Sequence, residues 1–178
     1  MAKRNYPLAR VYGLLEPGPV VLLTTAGPER PNVMTLSWLM PVEFVPPLLA
    51  CVLSNRDYSY GLLKRSGECA INIPTVELAE RVVAVGNCSG RDTDKFQAFG
   101  LTPKPATLIG APLVDECYAN LECRLYDKRQ AERYGLFILE VVKARVDTAL
   151  KAPKTLHHRG RGVFMVAGET IRLPSRMK

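Results

Sequence analysis

The segment over residues 51–59 combines residue types that suit the binding of an anion. A short apolar stretch leads into Ser54 and Arg56, and the residues after Asp57 favour a helix. The start of a helix presents backbone N–H groups without intrahelical partners and a partial positive charge, which suit a phosphate. Arg56 could add a bidentate contact, and the hydroxyls of Ser54 and Ser59 could donate hydrogen bonds. The alternative is that Asp57 or Ser59 caps the helix and that Arg56 is a surface residue.

A second candidate lies on a strand predicted over residues 32–40, which carries the only tryptophan of the chain. Successive side chains of a strand point to opposite faces, which gives two sets: Asn32, Met34, Leu36 and Trp38, and Val33, Thr35 and Ser37. A tryptophan beside small hydroxyl residues could line a slot for a flat ring. The alternative is that Trp38 belongs to the core and that local hydrogen bonds satisfy the two hydroxyls.

Other kinds of chemistry find little support in the sequence. The cysteines are odd in number and show no CxxC spacing, which predicts reduced thiols: Cys51, Cys69, Cys88, Cys117 and Cys123. The adjacent His157 and His158 are interpreted as loop or edge residues, and no metal site is expected because strand neighbours point to opposite faces. The chain shows no Ser/His/Asp or Cys/His arrangement and no GxGxxG between a strand and a helix. Nucleophilic catalysis and a Rossmann nucleotide site are therefore not expected.

The formal net charge of +7 is dispersed along the chain. The basic groups are Lys3–Arg4, Lys64–Arg65, Lys128–Arg129 and the pair Arg159 and Arg161. Nucleic-acid-binding proteins concentrate such charge in a patch or interleave it with stacking rings. In this chain the basic groups are scattered, and only 7% of all residues are aromatic. The pattern favours a solvated surface with some attraction for phosphate-bearing small molecules.

The 178 residues suit a single domain, 1–178, because no linker, repeat or low-complexity segment divides them. No apolar run approaches the ~20 residues that cross a bilayer, and no apolar stretch follows the basic residues near position 4. We therefore expect a cytoplasmic protein that does not associate with membranes.

The pattern predicts mainly β structure with a helical interlude. Strands are expected over residues 20–25, 32–40, 48–53, 68–73, 117–126 and 134–147, with a terminal strand pair at 162–167 and 169–173. Pro41 is expected to end the second strand, and residues 127–133 form a charged loop. Helical segments are expected over 58–65, 77–85 and 93–100, the first with Asp57 as N-cap. Short antiparallel strands with small flanking helices are typical of a closed Greek-key barrel.

Five segments in this order resemble the flavin reductase-like proteins, and the flavoredoxins in particular. They are PVVLLTT with NVMTLSW (19–25 and 32–38), SNR with Ser59 and SGECAINIP (54–56 and 66–74), GRDTDKF (90–96), FILEVV (137–142) and GRGVF (160–164). The resemblance covers nearly the whole chain.

The resemblance implies a six-stranded split barrel, an obligate homodimer and FMN bound near the subunit interface. The implied cofactor-binding residues are Asn32, Thr35, Leu36, Ser37, Trp38, Ser54, Asn55, Arg56, Ser59, Asn72, Lys95 and Phe164. The phosphate is expected at Ser54, Arg56 and Ser59, and the isoalloxazine ring along residues 32–38 with Asn72 close by. Lys95 resembles the family's basic residue near the flavin, where a positive charge would stabilise the reduced ring. Phe164 resembles the aromatic residue that flanks the ring.

One position departs from the family pattern. Relatives often carry a histidine at the start of the late strand, where this chain has Tyr134 and Gly135. A role for a histidine beside the flavin is therefore not expected.

The activity implied is that of an NAD(P)H:flavin oxidoreductase, which passes electrons from a reduced nicotinamide through FMN to free flavin, ferric iron or a redox protein. No catalytic side chain is expected, because the flavin supplies the chemistry. One alternative is an FMN-containing electron carrier that does not oxidise NAD(P)H. A remoter alternative is a basic β-barrel that binds nucleic acid.

Overall fold

A curled antiparallel sheet of seven strands forms the body of the molecule. A computed structural model describes residues 18–174; the basic pair at positions 3 and 4 lies outside this range. The strands follow the spatial order β2-β1-β5-β8-β9-β4-β3, and all pairs are antiparallel. Their bounds are Val21–Thr25 (β1), Asn32–Leu36 (β2), Leu39–Glu43 (β3), Leu48–Val52 (β4), Glu68–Ile73 (β5), Ala119–Asp127 (β8) and Leu136–Val146 (β9).

The two edge strands of this sheet, β2 and β3, are consecutive in the chain, and the sheet is curled into a half-barrel. The strand predicted over residues 32–40 is broken at Ser37 and Trp38, so the prediction of one continuous strand is wrong. Its first part pairs with β1 and its second part with β4. At the break, the Leu39 N–H donates to the Ser37 carbonyl (3.1 Å) and the Val52 N–H to the Trp38 carbonyl (3.0 Å). Counting β2 and β3 separately gives seven strands instead of the predicted six.

Pro41 does not end the strand as expected but lies inside β3, opposite Leu49. Proline lacks a backbone donor, and an edge strand tolerates this because one side of it makes no ladder bonds. The register between β3 and β4 shifts between Pro41 and Glu43. The strand therefore continues two residues beyond the proline.

Short helices and small strands surround the sheet. They are α1 (Tyr58–Ser66), a 3₁₀ turn (Val76–Leu78), α2 (Ala79–Gly86), α3 (Lys95–Ala98), α4 (Ala131–Tyr134), and the strand pairs β6 (Pro103–Lys104) with β7 (Leu113–Val114) and β10 (Leu156–His158) with β11 (Phe164–Val166). The three predicted helical segments are present. None of the helices within residues 18–174 combines the length and apolar character that crossing a bilayer requires.

Two predictions for the second half of the chain are wrong. The charged loop over residues 127–133 contains the start of α4, which continues to Tyr134. The terminal strand pair is formed by β10 and β11, with His158 opposite Phe164, and no strand lies over residues 169–173. A hairpin around Gly168 does not form because β11 pairs with the chain that precedes it.

The core has two parts, separated by the sheet. Val21 and Leu23 of β1 point into the barrel interior with Phe137, whereas Val20 and Leu22 pack on the other face against α2 and α3. Because neighbouring strand residues point to opposite sides, β1 is buried on both faces and lacks polar alternation. The second part of the core fixes the helices against β2, the strand that carries the candidate residues.

Candidate functional site

Three adjoining cavities run along β2, and Thr35 lines all of them. We name them by one residue each: the tryptophan cavity (Trp38, about 470 Å³), the lysine cavity (Lys95, about 350 Å³) and the phenylalanine cavity (Phe164, about 270 Å³). Together they form the β2 groove. Eleven of the twelve residues expected from the sequence line the groove. Thr35 lines all three cavities, the other ten divide among them, and Asn72 alone does not line the groove. Asn32, Arg56, Ser59 and Lys95 line the lysine cavity, Leu36, Ser37, Trp38, Ser54 and Asn55 the tryptophan cavity, and Phe164, with Ser37 again, the phenylalanine cavity.

The N-terminus of α1 opens into the lysine cavity and has no side-chain cap. Asp57 occupies the N-cap position, but its carboxylate accepts from the backbone N–H of Ser54 (3.0 Å) instead of from the helix. Ser59 is buried, and its hydroxyl accepts from the Asn32 amide (2.7 Å). Capping therefore does not account for these residues, and the helix end keeps its partial positive charge for an anion.

Asn32 contributes a buried acceptor that has no partner. Its side chain is 4% exposed, and within the described residues its Oδ1 atom receives no hydrogen bond. Gly90 lies against it: a Cβ added there would stand 1.8 Å from that oxygen. Buried polar atoms are nearly always paired, so an orphaned one that lines a cavity points to a ligand group.

Lys95 brings a buried positive charge to the same cavity. The residue is 5% exposed, and its ammonium donates one hydrogen bond, to the Val85 carbonyl (2.8 Å). Burial lowers the pKa of Lys95, while the charges of Cys88 and Asp57 act in the opposite direction. An ammonium carries three donors, and within residues 18–174 no carboxylate lies in ion-pair range of this one. An anionic ligand would supply the missing partner.

Sequence reasoning associated Lys95 with the flavin ring, whereas the structure groups it with the residues expected for the phosphate. The reason is the position of α3, whose first residue packs under the end of α2 instead of near the tryptophan. Thr35 contacts α2 as well, because its hydroxyl donates to the Val82 carbonyl (2.5 Å). A Cβ on Gly86 would lie 3.4 Å from the Thr35 Cβ, so helix and strand approach closely here.

Trp38 is half exposed, at 52%, and lines the largest of the three cavities, so it is not a core residue. Tyr134 lies across the same cavity, with the Arg133 guanidinium 5.1 Å from its ring centroid. The tyrosine at the position where relatives often carry a histidine therefore lines the groove. This arrangement offers aromatic surface for a flat ring.

Phe164 lines the phenylalanine cavity beside His158, and their ring centroids lie 5.1 Å apart. The two histidines were expected in a loop or at an edge. They belong to β10, and His158 lines the groove while the Nε2 of His157 contacts the Thr155 hydroxyl (2.9 Å). Pairing of β10 with β11 brings this histidine to the site, which local sequence does not indicate.

Asn72 lies apart from the groove, fully buried in the sheet. Its amide donates to the Leu22 carbonyl (2.9 Å), and its oxygen accepts from the Val114 N–H (3.0 Å) and from Asn120 (2.8 Å). These bonds satisfy both ends of the amide. Asn72 thus fastens β7 to the sheet.

Sequence reasoning missed the segment that closes the lysine cavity opposite α1. It begins at the last residue of α2 and consists of small and polar residues, Gly86, Asn87, Cys88, Ser89 and Gly90. A run of this composition between two helices is a signal for close approach of backbone to a ligand. Arg30 holds the end of this segment by donating to the Gly90 carbonyl (3.5 Å) and to the carbonyl of the following residue, Arg91 (3.2 Å).

The groove is chemically divided in a way that fits a phosphorylated ligand with a flat ring. The lysine cavity offers cationic and N–H donors for the phosphate and an acceptor for a hydroxyl. The adjoining cavities offer aromatic and hydroxyl groups for the ring.

Comparison with known proteins identifies flavin-binding relatives of this chain. A family model described as "Flavin reductase like domain" matches residues 14–164. The Escherichia coli (strain K12) protein YddH is 37% identical over 172 residues, which cover 89% of this chain and 91% of that protein. An FMN-binding domain of a flavin reductases-like enzyme from Shewanella baltica OS155 superposes with a TM-score of 0.83 and 29% identity, covering 98% of this chain and all of that one. Flavoredoxin of Desulfovibrio vulgaris (Miyazaki F) gives 0.85 and 26%, with 97% of each chain covered.

Proposed function

The chain belongs to the flavin reductase-like family, and from this premise we propose that it binds FMN in the β2 groove and transfers electrons from a reduced nicotinamide to an acceptor. The acceptor is free flavin, ferric iron or a redox protein. Two similar solved proteins are described as an FMN-binding domain and as a flavoredoxin, which supports the choice of cofactor.

The lysine cavity is the observation that carries the proposal. It joins a buried ammonium with unused donors, an uncapped helix N-terminus and the unpartnered oxygen of Asn32. Lys95 and Arg56 would hold the phosphate, and Asn32 would accept a hydrogen bond from the hydroxyl-bearing chain next to it. A phosphate would satisfy the buried charge that no carboxylate of the described residues neutralises.

The ring would lie along β2, where Leu36, Ser37 and Trp38 line the tryptophan cavity and Phe164 flanks the other side of Ser37. Bound FMN supplies the hydride and electron-transfer chemistry. The protein's residues bind the cofactor, orient the ring and limit the access of water. No side chain of the groove needs to act as a general acid or base in this scheme.

A homodimer is part of the proposal. The hairpin of β3 and β4 exposes apolar side chains at its end, including Phe44 at 83% and Val45 at 88%. Exposed apolar surface of this kind marks an interface, and a second copy of the chain would cover it. We also propose a cytoplasmic location, which the five free thiols support.

The visible spectrum of the purified protein, before and after addition of FMN, tests the choice of cofactor. We expect a yellow protein or, after removal of the cofactor, quenching of flavin fluorescence that saturates at one FMN per chain. Riboflavin, which lacks the phosphate, is the matched control ligand and should bind at least about tenfold more weakly because it leaves the lysine cavity unfilled. Equal affinity for FMN and riboflavin would contradict the assignment of the phosphate to that cavity.

Stopped-flow mixing of the FMN-loaded protein with NADH or NADPH tests the reaction. Bleaching of the flavin absorbance with either nicotinamide supports the oxidoreductase. Absence of bleaching with both, together with reduction by dithionite and rapid reoxidation by an acceptor, would instead indicate an electron carrier that receives its electrons from another protein.

A further inference from the structure

Cys88 differs from the other four cysteines in its surroundings. It is half-buried and lines the lysine cavity, whereas the other four are buried in the core: Cys51, Cys69, Cys117 and Cys123. Burial raises the pKa of Cys51 and Cys117 to about 12, and the pKa of Cys69 is raised by its hydrogen bond with Cys123 and by burial. Reaction of a thiol requires access and the thiolate form, so these core thiols are protected.

The cavity around Cys88 is cationic and contains an unsatisfied group. Lys95 and Arg56 line it together with one carboxylate, Asp57. The Cys88 thiol donates weakly to the Ala84 carbonyl (3.8 Å), and no other hydrogen bond holds it within the described residues. The buried, unpartnered oxygen of Asn32 shows independently that this cavity is shaped for a ligand. Cations beside a partly exposed thiol are the surroundings in which cysteines react.

We propose that Cys88 is a site of reversible modification by low-molecular-weight disulfides, and that the modified thiol and the phosphate of FMN exclude each other. The inference rests on the proposed function. In the reaction with oxidised glutathione, the Cys88 thiolate attacks one sulfur of the disulfide. A new S–S bond forms at Cys88 Sγ, the glutathione disulfide bond breaks, and the second glutathione leaves as a thiolate that takes up the proton released by Cys88. Cys88 is oxidised and the departing glutathione is reduced.

The volume and the charge of the lysine cavity explain why the modified Cys88 and the phosphate of FMN would exclude each other. The lysine cavity measures about 350 Å³, and a glutathionyl group attached to its wall would occupy it. The carboxylates of that group would also pair with Lys95 and Arg56, the cations that the phosphate requires. Bound FMN would in turn cover the thiol, so each occupant slows or weakens the other.

The test treats the apoprotein and the FMN-loaded protein with oxidised glutathione and locates the adduct by mass spectrometry of the intact chain and its peptides. We expect one adduct, on Cys88, formed at least about tenfold more slowly with saturating FMN. The adduct should raise the Kd for FMN at least about tenfold, and dithiothreitol should restore it. In Cys88→Ser, glutathione treatment should leave the Kd of that variant unchanged.

An adduct on another cysteine, a rate that FMN does not alter, or an unchanged Kd in the modified protein would each overturn the inference. Titration of the untreated, reduced protein with FMN is run in parallel. Failure to bind FMN there overturns the proposed function itself, whereas normal binding combined with any of the three results overturns only the role of Cys88.

Discussion

Arg56 and Lys95 differ in their contribution to the same cavity, since Arg56 is exposed at its mouth and Lys95 is buried inside it. The buried lysine is positioned by its bond to the Val85 carbonyl before any ligand arrives. The exposed arginine makes no ion pair within the described residues and is available to a ligand. A hydrogen bond from the charged Arg56 guanidinium to the phosphate of a ligand would contribute about 1.5–3 kcal/mol to binding.

Replacement of Arg56 by alanine should therefore weaken FMN binding by roughly tenfold or more without loss of stability. Arg65→Ala is the matched control, because Arg65 is exposed in the last turn of the same helix, away from the cavity. Fluorescence titration at two salt concentrations measures both, and the wild-type advantage over Arg56→Ala should shrink at high salt. Equal Kd values for the two variants would move the phosphate away from Arg56.

Gly90 has no side chain, and the Asn32 amide occupies the space that a side chain there would fill. In Gly90→Ala the new methyl group would displace the Asn32 amide and disrupt its bond to Ser59. We expect a loss of about 1–3 kcal/mol in stability from overpacking and a Kd for FMN raised at least about tenfold. Gly168→Ala, where a Cβ meets open space, should change neither in thermal unfolding and FMN titration. Wild-type behaviour of Gly90→Ala would show that the Asn32 amide moves freely.

At the level of elements, the turn after α4 fixes the far wall of the tryptophan cavity. Gly135 has a left-handed backbone (φ 67°), its carbonyl accepts from the Leu53 N–H (2.9 Å), and a Cβ would stand 2.1 Å from the Leu53 carbonyl oxygen. This close backbone contact joins the ends of β4 and β9. Only glycine satisfies both the conformation and the spacing.

Gly135→Ala should consequently lower the free energy of unfolding by about 2 kcal/mol or more. Gly61→Ala is the control, because Gly61 lies in the middle of α1 with open space around it. Alanine there should stabilise by about 0.5–1 kcal/mol through its higher helix propensity. Chemical denaturation measures whether the free energy of unfolding falls in Gly135→Ala and rises in Gly61→Ala. An unchanged free energy of unfolding in Gly135→Ala would contradict the tight turn.

At the level of the whole molecule, a buried carboxylate ties the loop before β7 to the sheet. Glu122 is 1% exposed and accepts from the backbone N–H groups of Thr107 (3.0 Å) and Leu108 (2.6 Å). Burial acts to raise the pKa of Glu122, but these hydrogen bonds and the nearby cations outweigh it and the pKa is lowered. A lowered folded-state pKa means that the stabilisation is present above the ordinary glutamate pKa and is lost as pH falls through the folded-state pKa.

Glu122→Gln should cost about 1–3 kcal/mol at pH 7, because the neutral amide replaces a charged acceptor of two bonds. The difference from wild type should shrink as the pH falls below about 4.5, the ordinary value. Urea denaturation between pH 3 and 7 measures this, with the exposed Glu80→Gln on α2 as control. A difference that stays constant across this range would exclude a role for the charge of Glu122.

Phe44→Lys tests the homodimer at the end of the β3–β4 hairpin. If the exposed phenylalanine packs against a second copy, a lysine there should shift the protein toward monomer in sedimentation velocity, because it buries an unpaired charge. Leu108→Lys, at a position 43% exposed and outside the hairpin, should leave the sedimentation coefficient unchanged. An unchanged coefficient for Phe44→Lys would remove this face from the interface.

Much of the local structure was determined by the sequence alone. Alternation and β-branched content identified the strands of the barrel, and the stretch before α1 identified a helix end suited to an anion. The break at Ser37 and Trp38 is not visible in the sequence, because no proline or glycine marks it and only the pairing of its two halves with β1 and β4 requires it. Glycine turns and strand periodicity act over a few neighbouring residues, which is why a sequence reveals them.

The tertiary structure alone decided which side chains meet in the groove. Lys95 joins Asn32 and Ser59 because α3 packs against α2, and His158 reaches the site because β10 pairs with β11. Asn72 lies on the expected strand, but its side chain bonds within the sheet, because its amide oxygen accepts from the Val114 N–H of β7. Such placements depend on contacts between residues distant in the chain. The physical reason is that local preferences decide whether a segment forms a strand or a helix. The element against which that segment packs decides where its side chains lie.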